Sequence, residues 1–200
     1  EAHFNLGNTL KELGRLNEAE ASYKEAMSLK PDYAKAHGNL GATLQELGRL
    51  EEAEASYKQV IVLNPDLAEA HSNLGSILQE LGRFDEAEAS YTQAIELKPD
   101  YAQAYLNLVA LLEKTNKLDK ALLVIKNAKV KVVEREADFL LYEALILFRE
   151  KDYEMVEELI KTINKDELSE ARKLSFMKLK ADLYHHKKDY SAAFEEFKSM

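Results

Sequence analysis

Cysteine is absent from this chain, which removes a disulfide framework, a thiolate nucleophile and any cysteine-based zinc site. No apolar run approaches the ~20 residues that a helix needs to span a bilayer. Nor does a positively charged start lead into a short apolar stretch of the kind that directs secretion. A cytoplasmic location without membrane contact is therefore expected. A net positive charge is also lacking. The formal net charge is −9 and each third of the first 102 residues is net negative, so the chain lacks the basic stripe that neutralises phosphates, and nucleic acid is excluded as a partner. Only residues 103–136 reverse the sign, with seven basic residues against four acidic ones, and this collar reads as a solvated face. A nucleotide-binding glycine loop and a His-Glu metal motif are missing too. Neither catalysis within these 200 residues nor a cofactor or metal is expected.

Punctuation is sparse: 7 glycines and 3 prolines among 200 residues leave little for hairpin turns between strands, and 46% hydrophobic residues are enough for an ordinary core. The class is all-α. What punctuation exists is periodic. Pro31, Pro65 and Pro99 stand 34 residues apart, as do Gly7, Gly41 and Gly75, and again Gly14, Gly48 and Gly82. Gly38 alone falls outside the pattern. The apolar residues keep step, with Leu6, Leu40, Leu74 and Leu108, then Leu10, Leu44, Leu78 and Leu112, then Ala19, Ala53, Ala87 and Ala121, and Tyr23, Tyr57 and Tyr91.

Within each period these positions fall at helical spacing on two segments, so each repeat is a helix pair. The first helix is expected over about 1–13, closed by Gly14, because glycine takes the left-handed conformation at no steric cost. The second is expected over about 17–29, ended by Pro31, which lacks an amide donor and disfavours helix in the residue before it. Asp32, Asp66 and Asp100 stand where an N-cap is wanted for the next helix. Gly7, Ala19 and Ala26 allow close approach of two backbones, while Tyr23 and Leu10 fill the space between hairpins.

Four motifs are read, over 1–34, 35–68, 69–102 and 103–133. The last is degenerate: Val109 replaces a glycine, Asn116 the turn glycine, which Asn can still serve, and Val133 the proline. Beyond it a weaker echo at a spacing of 37 links Ala144 to Ala181, Leu147 to Tyr184, Tyr153 to Tyr190 and Ile160 to Phe197. Two divergent hairpins, about 134–168 and 169–200, with a turn near Asn164, Lys165 and Asp166, continue one array. A start at Glu1 without methionine and an end at Met200 inside a helical pattern suggest a piece of a longer protein.

The leucine-glycine pair, the alanines, the aromatic and the proline of this 34-residue unit resemble the tetratricopeptide repeat, closely over 1–102 and recognisably to about 128. The large aromatic usual near the start of each repeat is replaced by His3, His37 and His71, and Tyr105 restores it in the fourth. The resemblance implies a right-handed α-solenoid of antiparallel helix hairpins, a superhelix whose first helices line a concave surface, and a role in protein–protein interaction. The text HSNLGSILQELGR at 71–83 is similar to repeats of the O-linked N-acetylglucosamine transferase and of bacterial arrays fused to transferases.

On the first helices, Asn5, Asn39, Asn73 and Asn107 recur at the 34-residue period. Side-chain amides offer two donors and an acceptor, the complement needed to grip an extended peptide by its backbone. Asn8, Gln45, Ser72, Ser76 and Gln79 would extend the polar lining. The competing interpretation is that these amides satisfy themselves locally. A clamp for a chaperone C-terminus, as in co-chaperone members of the family, is argued against, because Phe4, Gly38, Ser72 and Leu106 stand where its lysines belong and Asn73 where its arginine would be. His3, His37 and His71 lie on successive hairpins about 8–10 Å apart, too far for one metal, and are read as packed in an aromatic slot. Glu51, Glu52 and Glu54 are read as a solvated face.

The partner expected is a protein or peptide held in the concave groove, with the chain acting as a scaffold or substrate-recruiting module. Two alternatives stand beside it: a substrate-selecting region of a glycosyl- or sulfotransferase whose catalytic domain lies beyond residue 200, and a scaffold that self-associates by stacking its open end.

Overall fold

The structure, a computed structural model, describes residues 1–132, 135–189 and 198. Val133, Tyr190 and Phe197, and with them part of the last expected hairpin, lie outside the described residues. Among those described, all regular structure is helical: eleven α-helices and one 3-10 turn. The chain divides into two compact units, Glu1–Asn107 and Leu108–Met200.

Unit 1 holds three hairpins: α1 (Ala2–Glu12) with α2 (Leu16–Leu29), α3 (Ala34–Glu46) with α4 (Leu50–Leu63), and α5 (Ala68–Glu80) with α6 (Phe84–Leu97). Successive hairpins stack through α2 on α3 and α4 on α5. Within a hairpin the turn is fixed by glycine: Gly14, Gly48 and Gly82 have φ of +71°, +74° and +76°. The next residue's N–H then reaches back five residues, as from Arg15 to the Leu10 carbonyl at 2.8 Å, which satisfies carbonyls that the helix end would otherwise orphan.

Between hairpins Pro31 and Asp32 form the turn. The N-cap position of α3 falls on Tyr33, and that of α5 on Leu67, neither with a side-chain cap. Asp32 and Asp66 are thus not the expected caps. The tight turn uses one more residue, and the Tyr33 N–H closes it on the Lys30 carbonyl at 3.1 Å.

The small residues of the first helices make room for a ring rather than for a backbone. A Cβ on Gly7 would lie 2.6 Å from the Tyr23 ring, and one on Gly75 would lie 2.7 Å from that of Tyr91. Tyr23 therefore fills its own hairpin, not the space between hairpins. Ala19, Ala53 and Ala87 are fully buried, which leaves no space for a larger side chain.

Helix α7 (Ala102–Lys114) runs across the boundary between the units, and unit 2 continues with α8 (Leu118–Lys131), α9 (Glu136–Arg149), α10 (Tyr153–Thr162), the 3-10 turn Lys165–Glu167 and α11 (Glu170–His186). Its core gathers Leu141, Ala144, Val156, Ile160, Phe176, Leu179 and Leu183 from α9, α10 and α11. The left-handed turn persists without glycine. Asn116, Lys151 and Lys188 have φ of 58°, 66° and 61°, and the N–H groups of Lys117, Asp152 and Asp189 make the same five-residue return at 2.8–3.0 Å. Among the described residues no helix is long and apolar enough to cross a membrane.

Candidate peptide-binding face

The first helices of unit 1, α1, α3 and α5, are bridged edge to edge by polar side chains. Lys11 pairs with Glu46 at 3.0 Å, Asn39 donates to Asn8 Oδ1 at 2.7 Å, and Gln45 donates to Glu80. Tyrosine hydroxyls from the second helices rise under this face. Tyr23 donates to Asn8 Oδ1 at 2.9 Å, and Tyr91 lies 3.2 Å from Ser76 Oγ and 3.4 Å from Gln79 Oε1. In the middle hairpin Ala42 occupies the position held by Asn8 and Ser76 and offers no acceptor. Burial there pushes the Tyr57 phenol up to about 12.

The four periodic asparagines are therefore not equivalent. Asn5 and Asn73 are exposed, and neither side chain has a hydrogen-bond partner among the described residues. Asn39 is half-buried and bonded to Asn8, and Asn107 is half-buried and accepts from Gln103 at 2.7 Å. Gln45, Ser76 and Gln79 are half-buried, each joined to a neighbour as described. Ser72 departs from expectation. It is 2% exposed, so it packs behind the face instead of lining it.

Gly38 marks a feature that the asparagine spacing does not show. A Cβ there would meet only Val60 Cγ2, at 3.8 Å. The space opens into a recess of about 420 Å3 lined by Phe4, Gly38, Ala42, Tyr57, Val60 and Ala70, with Asn39 and Asn73 among its walls. Phe4 is fixed on one side by Tyr33, with ring centroids 4.9 Å apart.

The opposite side of the hairpins carries a repeated ionic relay. Arg49, at the N-cap of α4, binds Glu52 in that helix's first turn and reaches Glu20 of the preceding hairpin at 2.6 Å, and Arg83, at the N-cap of α6, repeats this with Glu86 and, at 2.7 Å, Glu54. Hydrogen bonds from Lys24 and then Arg49 hold the Glu20 carboxyl below its ordinary range against the effect of burial, and Lys58 with Arg83 does the same for Glu54. Glu54 is thus no solvated acid, since its side chain is 11% exposed and ties two hairpins together. The histidines differ from expectation as well. Nε2 of His37 and of His71 lies 2.9 and 2.8 Å from the carbonyls of Pro31 and Pro65, and because a carbonyl only accepts, each imidazole donates and staples the turn before its helix.

A set of antiparallel hairpins with left-handed turns and stacked alanine, tyrosine and leucine cores defines a helical-repeat protein of the α-solenoid class. Tetratricopeptide-repeat profiles match residues 32–100 and 72–131, and a TPR repeat profile matches 7–48. The chain belongs to the tetratricopeptide-repeat family. No curated protein sequence matches it. Among solved structures, PilF of Pseudomonas aeruginosa is similar with a TM-score of 0.79 at 21% identity, over 98% of this chain and 87% of that one. A tetratricopeptide repeat protein of Parabacteroides merdae gives 0.72 at 20% identity over 98% and 75%. YrrB, described as a TPR protein with an unusual peptide-binding site, gives 0.65 at 19% identity over 94% and 90%.

Proposed function

We propose that this chain is a protein-interaction module that holds an extended segment of a partner protein along the face formed by α1, α3 and α5. The observation that carries this reading is the pair of exposed, unbonded amides of Asn5 and Asn73, on either side of Asn39, whose Oδ1 and second N–H are not used by Asn8. Three amides along one face supply donors and acceptors to main-chain groups without selecting side chains. The similarity to YrrB supports a peptide as the occupant. The reading assigns no catalysis to these 200 residues, and none of the relatives named above is described as a transferase.

The test is a displayed library of unstructured decapeptides. Wild type is expected to enrich binders, and Asn5→Ala with Asn73→Ala is expected to lose them while helicity and melting stay within about 0.5 kcal/mol, as for exposed substitutions. Equal enrichment by both proteins would move the binding surface elsewhere. Collapse of the double variant would show the amides to be structural.

Self-association draws on a different observation, the exposed Leu123, Val130 and Met155 of unit 2, which line a recess of about 710 Å3. A molar mass that stays constant across a concentration series would dismiss it.

A further inference from the structure

We infer that the recess at Gly38 is a side-chain pocket that gives the face sequence preference. Its occupant is a large uncharged apolar side chain, of leucine or phenylalanine size, on the extended peptide that Asn39 and Asn73 hold. This rests on the peptide-binding reading and adds to it a position of selection.

Register makes the pocket visible. Phe4, Gly38, Ser72 and Leu106 occupy the same place in four successive first helices. Ser72 and Leu106 are 2% exposed, so at those places the chain fills the space itself. At Gly38 it does not. Val60 forms the floor, and Phe4 and Tyr57 stand as aromatic walls. A volume of about 420 Å3 is within the range of small-molecule pockets. Glycine is a poor residue for the middle of α3, because it loses more chain entropy on folding than any other. It brings no compensation through a left-handed φ, which only Gly14, Gly48 and Gly82 adopt among the glycines.

Charge selects the class of occupant. Lys35 and Glu69 lie on the rim with opposite signs, so neither a cationic nor an anionic side chain finds a net counter-charge. The amides of Asn39 and Asn73 belong to adjacent first helices and both border the recess. A main chain gripped by both amides passes over the opening and directs a side chain down into it, since alternate side chains of an extended strand point to the same face. The Tyr57 hydroxyl has no partner among the described residues. It sits beside the opening where its tyrosine counterparts bond to Asn8 and Ser76.

The experiment uses the same decapeptide library on the whole chain, with Gly38→Leu as a second bait. The added side chain enters open space and replaces a helix-interior glycine, so melting is expected to hold or rise. Wild type should enrich peptides carrying one leucine, phenylalanine or similar residue. A blocked synthetic peptide of that kind should bind Gly38→Leu at least about tenfold more weakly, the effect of denying burial to one large apolar side chain. Its variant with serine at that residue should bind both proteins alike. If both baits enrich the same sequences, or if wild-type binders show no apolar preference, the pocket assignment is overturned while the amide-held peptide stands. Should wild type enrich nothing, both are overturned.

Discussion

The two units of this chain make the same turn with different residues, and the difference separates what the fold requires from what it merely tolerates. In unit 1 glycine supplies each left-handed position between paired helices. In unit 2 the same backbone return is made by Asn116, Lys151 and Lys188. The hydrogen-bond pattern is therefore the requirement and glycine only its least costly solution. The same holds in the helix interiors. Unit 1 pairs Gly75 with the Tyr91 ring; one period later Val109 and Ile125 take those two register places, with 0% and 1% exposure. The large residue has become smaller and the absent side chain larger, which is a volume exchange rather than decay. Charge follows the same division: unit 1 repeats its Arg–Glu relay, whereas unit 2 gathers two arginines on a buried aspartate. There Asp138, 2% exposed, meets Arg135 at 2.7 Å and Arg172 at 3.4 Å, and Arg172 lies over the Tyr142 ring.

The exchange of volumes can be broken directly. Gly75→Val alone drives a Cβ to within 2.7 Å of the Tyr91 ring, and the overpacking should cost about 1–3 kcal/mol in urea unfolding. Adding Tyr91→Ile, which copies the Val109 and Ile125 arrangement, should recover most of that loss, so that the double-mutant cycle shows coupling of about 1 kcal/mol or more. Additive costs would mean that unit 2 tolerates Val109 for some reason other than the smaller partner.

How much of this could be read from residues alone follows the same line. The period, the helix pairs and the glycine turns were legible because glycine and proline are punctuation whose backbone chemistry is fixed. Lys151 and Lys188 were not, since lysine is no turn signal, although their spacing of 37 matches the echo of Ala144 and Ala181, both fully buried. Asp32 misled because an aspartate before an apolar run is also a frequent turn residue. Glu54 misled because its partner Arg83 comes from the next hairpin, 29 residues away. The asparagine spacing was legible, but which amides are already bonded depends on Tyr23, Asn8 and Gln103. The recess was marked by the one aperiodic glycine, yet its walls come from four helices.

The turn comparison sharpens with Lys151→Gly. A non-glycine residue in the left-handed region is strained by about 1–2 kcal/mol, and glycine's larger unfolded-state entropy returns about 0.5–1 of that. A net gain of about 0.5–1 kcal/mol in unfolding free energy is expected. The reverse change, Gly48→Lys, should lose a similar amount. If Lys151→Gly is neutral or destabilising, the lysine is held there by something other than the turn.

The smallest effect concerns pH and belongs to unit 1. Glu20 and Glu54 have carboxyls held below the ordinary range by Lys24 with Arg49 and by Lys58 with Arg83. A group whose folded pKa is depressed contributes stability that is fully present above its unfolded value, about 4.3, and is lost as the pH falls through the folded value. The stacking of the three hairpins should therefore weaken below about pH 4. Amide hydrogen exchange over pH 7 to 3, corrected for intrinsic rates, should show protection in α2, α3 and α4 falling more than in Glu20→Gln with Glu54→Gln. That variant lacks the relay at every pH and should start lower but change less. The Asp138 knot of unit 2 remains intact in it and provides the internal reference. Parallel pH profiles for wild type and variant would show that the repeated relay sets hairpin register without contributing to stability, leaving the packed alanines and tyrosines to hold the stack.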